Sequence, residues 1–352
     1  MTNPFFRLSL KQKMFFARHM AIMTRAGMRV VDVIKTMKRQ APSGSYGKLL
    51  DDLASDVKNG QFLADSLAKH RGLFGDFFIN IIKVGEVSGT LADNLEYLAD
   101  SLKKKHELQS KVQGALIYPV IILISTLGMA GGMMFFIFPK ILPIFKSLKV
   151  ELPLITKIFI GISNFLINHG LFVLLIIAAG LIVGALLLRI KILRYGWHRA
   201  ILMIPFAGSM VRDYNMVNFS RSLALLLKSG VKIVQALEIT SSSTQNLVYK
   251  AQLKNASIEV GKGELASKTL AKSSRLFPIT FTEMIGIGEE TGKLAETASY
   301  LSDYFEQELD ASTKSFSDIL EPVLLLTMGG IVMFIALSII LPIYKVTTSV
   351  HG

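Results

Sequence analysis

The 352-residue sequence predicts an all-α membrane protein built from two homologous helical bundles and three transmembrane helices. Three observations lead to this prediction. One spacing of 203 residues relates the two halves of the chain, three long apolar runs carry no charge, and apolar residues elsewhere recur at helical spacing. The composition agrees, since 51% of the residues are hydrophobic and only 18% are charged.

The internal repeat is clearest in one short phrase. GEVSGTL at residues 85–91 returns 203 positions later as GEETGKL at residues 288–294. The same spacing holds without a gap across roughly 125 residues, far beyond the period of solenoid repeats, so each copy is interpreted as a domain. Pairs at this spacing include Gly27 with Gly230, Arg18 with Arg221, Phe74 with Phe277, and Pro119 with Pro322.

Residues 1–112 are predicted to form the first bundle, which lies in the cytosol. The stretch 15–37 is interpreted as two helices that break at Gly27, because a glycine just past a helix end adopts a left-handed conformation that other residues resist. Further breaks are predicted at Gly60 and Gly89. Beyond the last break, apolar residues fall on one helical face: Leu91, Leu95, Leu98 and Leu102.

The duplicated phrase places a glutamate beside a turn in each bundle. Glu86 and Glu289 are predicted near the end of a helix. Ser88 and Thr291 are predicted to cap the helix that follows. Two interpretations stay open: the glutamates are solvated or capping carboxylates, or they contact a partner protein. Because no cluster of His, Asp or Glu surrounds either copy in the sequence, neither a metal nor a catalytic role is predicted.

The three apolar runs predict transmembrane helices at residues 113–138, 169–188 and 321–345. Each run offers the roughly 20 apolar residues that cross a hydrocarbon core of about 30 Å, and none shows the polar stripe of a soluble helix. Residues 139–168 are predicted to be a periplasmic loop, and residues 346–352 a periplasmic tail.

Several residues within the spans are predicted to shape helix packing. Glycines that permit close approach are Gly128, Gly132, Gly329 and Gly330. They pack the protein's own spans together or contact another protein; both interpretations stay open. Pro119 and Pro322 are predicted to kink their helices, because proline removes a helical hydrogen bond. The kinks serve as levers or only as packing features.

Residues 189–320 are predicted to form the second cytosolic bundle, a copy of the first. Its helices are expected to break at Gly230 and Gly292, the counterparts of Gly27 and Gly89. Its last helix again carries apolar residues on one face: Leu294, Ala298, Leu301, Phe305 and Leu309.

The chain has a net charge of +13, and the positions of its basic residues predict how it crosses the membrane. Basic residues cluster before the first span and after the second: Lys103, Lys104, Lys105, Lys111, Arg189, Lys191, Arg194 and Arg199. Since positive residues are retained on the cytoplasmic side, the N-terminus and both bundles are predicted there, with the C-terminus in the periplasm. Topology and anionic lipid headgroups account for the charge, so no nucleic-acid partner is predicted.

The sequence carries no motif of an enzyme. It has no glycine-rich phosphate loop, no His-Glu-x-x-His and no Gly-x-Ser-x-Gly, so no catalytic residue, cofactor or metal ligand is predicted. Without cysteine, the chain has neither disulfides nor thiolate metal sites. A small multi-pass transporter or channel subunit is the alternative, although the cores of the spans lack the ionisable residues typical of transport pathways.

The chain resembles the GspF/PilC family, the inner-membrane platform proteins of type II secretion systems and type IV pili. The resemblance rests on the duplicated domain, the repeated Gly-Glu-x-Ser/Thr-Gly-x-Leu phrase and a series of short motifs in the same order. Those motifs are Tyr118-Pro119, Glu151–Thr156, Trp197, Pro205-x-x-Gly208, Ser229–Val231 and Glu321-Pro322. The short N-terminus is expected to favour the pilus branch.

The resemblance implies a non-enzymatic platform in the bacterial inner membrane. It implies that the platform couples a hexameric cytoplasmic ATPase to the extraction of pilin or pseudopilin subunits and to filament assembly. The implied partners are that ATPase, other inner-membrane assembly proteins, pilin, lipid, and further copies of the chain as a dimer or trimer. The candidate contact or motif residues are Arg18, Glu86, Gly89, Arg221, Glu289, Gly292 and Glu321.

Overall fold

A computed structural model describes residues 7–41, 44–137, 140, 143, 153–188, 190–205 and 207–350. Within these ranges every regular element is a helix, which confirms the all-α prediction. The chain divides into two compact units. The globular unit comprises Met1–Lys111 and Tyr195–Ser312, and the apolar unit comprises Val112–Arg194 and Thr313–Gly352.

The first repeat begins with α1, Leu10–Arg25, whose start is fixed by a reciprocal cap. The Ser9 hydroxyl accepts a hydrogen bond from the Gln12 N–H, and the Gln12 side chain accepts one from the Ser9 N–H. A break follows at Gly27, whose φ of 84° is left-handed, as the sequence predicts. The next helices are α2 Val30–Gln40, α3 Ser45–Lys58, α4 Leu63–Lys69, α5 Arg71–Phe74, α6 Asp76–Ser88 and α7 Leu91–Gly132.

The segment between the repeats is also largely helical. A π-helical turn, Met133–Ile137, follows α7, and then come α8, Leu154–Leu187, and α9, Lys191–Ile201. The second part of the predicted loop 139–168 is therefore helix, started by Pro153, whose φ of −57° suits a helix N-terminus. Residues 138–139, 141–142 and 144–152 of this connection lie outside the described residues.

The second repeat reproduces the order of the first. Its helices are α10 Ala207–Lys228, α11 Ile233–Ser243, α12 Leu247–Gly261, α13 Ala266–Ala271, α14 Ile279–Glu290 and α15 Leu294–Val350. Helices α11, α13, α14 and α15 each begin 203 residues after α2, α4, α6 and α7. This common register confirms the internal duplication.

Each repeat builds its core around the same three aromatic positions. In the first, the rings of Phe16, Phe74 and Phe78 lie 5.0 to 6.0 Å apart. In the second, the rings of their counterparts lie 5.5 to 6.0 Å apart: Phe219, Phe277 and Phe281. All six side chains are buried, so each contributes about 1.5–3 kcal/mol through the transfer of apolar surface from water.

The two repeats meet within the globular unit, where α6 packs against α11. Two ion pairs also join α7 to α15: Lys104 Nζ lies 3.1 Å from Asp303, and Lys111 Nζ lies 2.8 Å from Asp310. All four side chains are about half exposed, so these pairs add little stability. The two predicted bundles therefore form one body, a union that the sequence pattern does not reveal.

Among the residues that the structure describes, three helical segments are long and apolar enough to cross a membrane, as predicted: Leu91–Phe136, Leu154–Gly184 and Leu294–Pro342. In the apolar unit, the buried Phe159 of α8 packs against Phe334 of α15 with ring centroids 6.0 Å apart. The Thr156 hydroxyl donates a 3.0 Å hydrogen bond to the carbonyl oxygen of Ser338. A hydroxyl between apolar helices needs such an acceptor, so this bond fixes the start of α8 on α15.

Candidate functional site

Glu86 lies in the last turn of α6, and its carboxylate reaches the beginning of another helix. Its Oε1 accepts a 2.6 Å hydrogen bond from the Leu63 N–H, and its Oε2 accepts a 2.7 Å bond from the Ala64 N–H. These are two of the N–H groups at the start of α4, which have no partner within their own helix. Phe62 precedes that helix and offers no side-chain cap. Glu86 therefore caps α4, and its negative charge suits the positive end of the helix dipole.

Glu289 repeats this geometry in the second half. Its two carboxylate oxygens accept hydrogen bonds from the N–H groups of Ala266 and Ser267, at 2.7 and 3.0 Å. Leu265 at the N-cap position of α13 again provides no side-chain cap. The duplicated glutamates thus hold a short helix in place from the end of a helix that follows it in sequence.

Burial and hydrogen bonding act on Glu86 in opposite directions. Burial raises the pKa of the Glu86 carboxyl, while the backbone N–H groups of Ala64 and Leu63 lower it, and the nearby charge of Asp65 raises it. The net effect is a raised pKa. The carboxyl is half-buried and accepts backbone hydrogen bonds through both oxygens.

The first glycine of each phrase permits a close helix contact. A Cβ on Gly85 would lie 2.9 Å from Cα of Leu91, and a Cβ on Gly288 would lie 2.9 Å from Oγ1 of Thr297. Both distances are too short for a real side chain. Glycine therefore lets α6 approach α7, and α14 approach α15, at the sharp turn between them.

The turn itself depends on the second glycine. Gly89 and Gly292 have φ angles of 75° and 72°, in the left-handed region that glycine tolerates without strain. The prediction that Ser88 and Thr291 cap the following helix is wrong. Their hydroxyls donate 2.7 Å hydrogen bonds backwards, to the carbonyl oxygens four residues earlier in the preceding helix. A hydroxyl in the last turn of a helix has such a carbonyl within reach.

The two interpretations of the duplicated glutamates are thus unequal on geometry. Their carboxylates bind backbone N–H groups of the same unit, which favours the capping interpretation. The glycines of the phrase serve the backbone path and carry no side chain for a partner. Contact with a partner protein through these residues stays a prediction.

The repeat-related arginines lie in different surroundings. Arg18 is partly exposed and forms ion pairs with Glu96 and Asp100. Arg221 has a side chain only 9% exposed and pairs with Glu306 at 2.8 Å. Among the described residues, its buried Nε and Nη1 atoms have no hydrogen-bond partner. Burial lowers the pKa of Arg221, and the charge of Glu306 opposes this shift.

Arg221 also lines a basic cavity of about 560 Å³ within the globular unit. Lys13 of α1 and Lys105 of α7 line the same cavity. Burial lowers the pKa of both lysines; Lys105 adds repulsion at Lys13, and Arg221 adds repulsion at Lys105. Within the described part of the chain, neither lysine has a carboxylate within 4.0 Å.

The sequence predicts only Arg221 among these cavity residues. The cavity lining comes from positions far apart in the chain, on α1, α7 and α10, and no local pattern connects them. The other predicted contact residue, Glu321, is exposed on α15 beside Pro322. No group of three or more His, Asp or Glu side chains suited to a metal ion occurs in the described ranges.

The four glycines that the sequence singles out in the spans have free space where a side chain would stand. Apart from neighbouring backbone of the same helix, no atom of the described residues lies within 4 Å of a Cβ built at Gly128, Gly132, Gly329 or Gly330. Within one chain these glycines therefore do not mark close helix contacts. Helices α7 and α15 continue through Pro119 and Pro322, and the predicted kinks stay predictions.

Comparison with known proteins gives a consistent result. The chain is 32% identical over 348 residues to the type IV pilus assembly protein PilC of Thermus thermophilus, with 96% of this chain and 83% of that protein aligned. It is 27% identical to the type II secretion system protein F of Aeromonas hydrophila, across 97% and 88% of the two chains. The PilC protein of Myxococcus xanthus is 28% identical, across 97% of this chain and 82% of its own.

The family described as type II secretion system protein F matches twice, at residues 16–139 and 219–342. Both matches contain one copy of the glycine–glutamate phrase and one long apolar run. Three apolar helices and this family together identify an inner-membrane protein of type IV pilus assembly or type II secretion. The chain belongs to the family of type II secretion system protein F, as a two-repeat inner-membrane platform protein.

Proposed function

We propose that the chain is a non-enzymatic platform that couples a hexameric cytoplasmic ATPase to the extraction of pilin or pseudopilin subunits from the membrane. The observation that carries this proposal is the continuity of two helices. Helix α7 runs for 42 residues and α15 for 57, each starting at the duplicated turn and continuing into an apolar run. Each helix thus belongs to both the globular unit and the apolar unit.

Continuity matters because an α-helix is stiff along its axis. A flexible linker would absorb a displacement of the globular unit, whereas a hydrogen-bonded helix passes it on. In α15 no glycine or proline occurs between Leu294 and Pro322. In α7 no proline occurs before Pro119. Motion of the globular unit is therefore expected to reach the spans.

The proposed topology places the globular unit and the N-terminus in the cytoplasm and the C-terminus in the periplasm. It follows the basic residues that flank the spans. The ATPase then meets the globular unit, while pilin and other inner-membrane assembly proteins meet the spans. The open glycine surfaces Gly128, Gly132, Gly329 and Gly330 suit contact with such helices or with a second or third copy of the chain.

The test interrupts helix α7 where it leaves the globular unit. Ser110 and Gln113 are exposed, so their substitution leaves the core intact. The double variant Ser110→Gly/Gln113→Gly weakens the helix by about 1 kcal/mol per site relative to alanine. We expect the variant to retain the ATPase in a pull-down and to lose filaments, counted by electron microscopy, or secretion.

The matched control is Ser110→Ala/Gln113→Ala, which removes the same side chains and keeps the helix stiff. It should assemble filaments like the unaltered chain. Full assembly by the glycine variant, at equal expression, would contradict coupling through α7. A glycine variant that no longer binds the ATPase would show that the damage lies in docking instead.

A further inference from the structure

Helix α9, Lys191–Ile201, separates its residues cleanly onto two faces. At 100° per residue, one face is apolar: Ile192, Leu193, Gly196, Trp197, Ala200 and Ile201. The opposite face is polar and mainly basic: Lys191, Arg194, Tyr195, His198 and Arg199. Such a helix normally buries its apolar face against a protein core.

No described residue provides such a cover for the apolar face of α9. None of the helix's residues is buried, and Ile192, Trp197 and Leu193 are 82%, 53% and 46% exposed. On the opposite face, one side chain contacts the globular unit. Nδ1 of His198 accepts a 3.0 Å hydrogen bond from the Leu247 N–H at the start of α12. By the 100° spacing of residues, this contact lies on the side of α9 opposite its apolar face.

The position of α9 in the chain indicates what covers this face. The apolar stretch of α8 ends at Gly184, and α9 begins at Lys191. The few residues between them reach at most about 20 Å even when extended, so α9 stays close to the end of a membrane span. Exposed tryptophan and aliphatic side chains opposite basic ones are typical of helices that lie in a membrane interface.

We propose that α9 lies flat in the headgroup region of the membrane and binds anionic lipid. Its apolar face enters the upper acyl chains, and Lys191, Arg194 and Arg199 contact the negatively charged headgroups. The helix then anchors the second repeat to the bilayer surface at a point outside the three spans. This inference goes beyond the proposed coupling function and requires neither the ATPase nor pilin.

The chain contains one tryptophan, so the fluorescence of Trp197 reports on α9 in the intact protein. The full chain is reconstituted into vesicles of phosphatidylethanolamine and phosphatidylglycerol that contain a lipid brominated near the headgroup or at the chain end. We expect stronger quenching by bromine near the headgroup, and protection of Trp197 from iodide in the water. Full quenching by iodide with none by brominated lipid would overturn the proposal, as would protection from both, which indicates a covering protein surface.

The charge dependence is tested with Arg194→Gln/Arg199→Gln. In the vesicles that contain phosphatidylglycerol, brominated lipid should quench Trp197 of the variant less than Trp197 of the unaltered chain. The remaining quenching should equal that of the unaltered chain in vesicles of phosphatidylcholine alone. The matched control, Lys254→Gln/Lys268→Gln, removes two exposed charges from α12 and α13 and should leave the quenching unchanged. Equal quenching of both variants in both lipids would overturn the role of the anionic headgroups. Because the assay contains only chain and lipid, its failure leaves the coupling proposal intact.

Discussion

Glu86 and Glu289 each bind two backbone N–H groups of a short helix that has no cap of its own. Removing a glutamate would leave both N–H groups without this partner in a half-buried place. The loss of a cap typically costs about 1–2 kcal/mol, and a buried unpaired donor costs a similar amount. The repeated phrase is therefore explained by local architecture that each half needs.

We predict that Glu86→Ala and Glu289→Ala each destabilise the folded chain by about 1–2 kcal/mol. Thermal unfolding of the full chain in detergent, followed by helical circular dichroism, measures the effect. The control is Glu290→Ala, which changes an exposed glutamate beside Glu289. Unfolding temperatures equal to that of the control would contradict the capping role.

The raised pKa of Glu86 adds a pH dependence to this prediction. Because the folded chain binds the proton more tightly than the unfolded chain, this tighter proton binding contributes its full stabilisation below the unfolded pKa, near 4.5. It is lost as the pH rises through the folded pKa. The stability of the unaltered chain relative to Glu86→Gln should therefore decrease as the pH rises from 4.5 and then level off. An increase over that range would contradict the assignment.

A second prediction concerns a lysine that lines the basic cavity. Lys105 is partly buried near Arg221 without a carboxylate partner among the described residues, so its charge destabilises the fold. Lys105→Met should raise the free energy of unfolding by about 1 kcal/mol, as replacements of buried charges often do. Lys103→Met, at a side chain 59% exposed, is the matched control. A destabilised Lys105→Met variant would show that the ammonium has a stabilising partner.

At each duplicated turn two consecutive helices pack closely together, α6 with α7 and α14 with α15. A glycine stands where the two backbones approach. Gly85→Ala and Gly288→Ala should each destabilise the folded chain by about 1–3 kcal/mol, because the new methyl group collides with the next helix. Gly114→Ala in α7 is the control, since no described atom lies within 4 Å of its added Cβ. That control should be neutral or stabilising by about 1 kcal/mol. Equal effects at Gly85 and Gly114 would contradict close helix approach.

Much of the element pattern is predictable from the sequence, for physical reasons. Gly27 and Gly89 mark helix ends because only glycine takes the left-handed conformation cheaply, and both have positive φ. The partner of Glu86 is not predictable in this way. The N–H groups that Glu86 binds belong to Leu63 and Ala64, more than 20 residues earlier in the chain. Only the packing of α4 on α6 brings them close to the carboxylate. The cavity residues escape prediction for the same reason.

At the scale of the whole molecule, two repeats form one globular unit, while their apolar segments belong to a second unit. From the sequence the repeats are predicted as separate bundles, because the contacts between α6 and α11 follow no local pattern. What the duplication provides is two stiff helices, α7 and α15, that leave one body for the membrane. We propose that these helices carry the work of a separate motor to the spans.

One reconstituted measurement tests that claim most directly. Vesicles carrying the chain and a fluorescently labelled pilin are incubated with the ATPase and ATP, and the release of label from the bilayer is followed over time. We expect release to require the chain, the ATPase and ATP together. Ser110→Gly/Gln113→Gly should abolish release while ATP hydrolysis continues, and the alanine pair should support release. Equal release without the chain, or with the glycine pair, would contradict the claim.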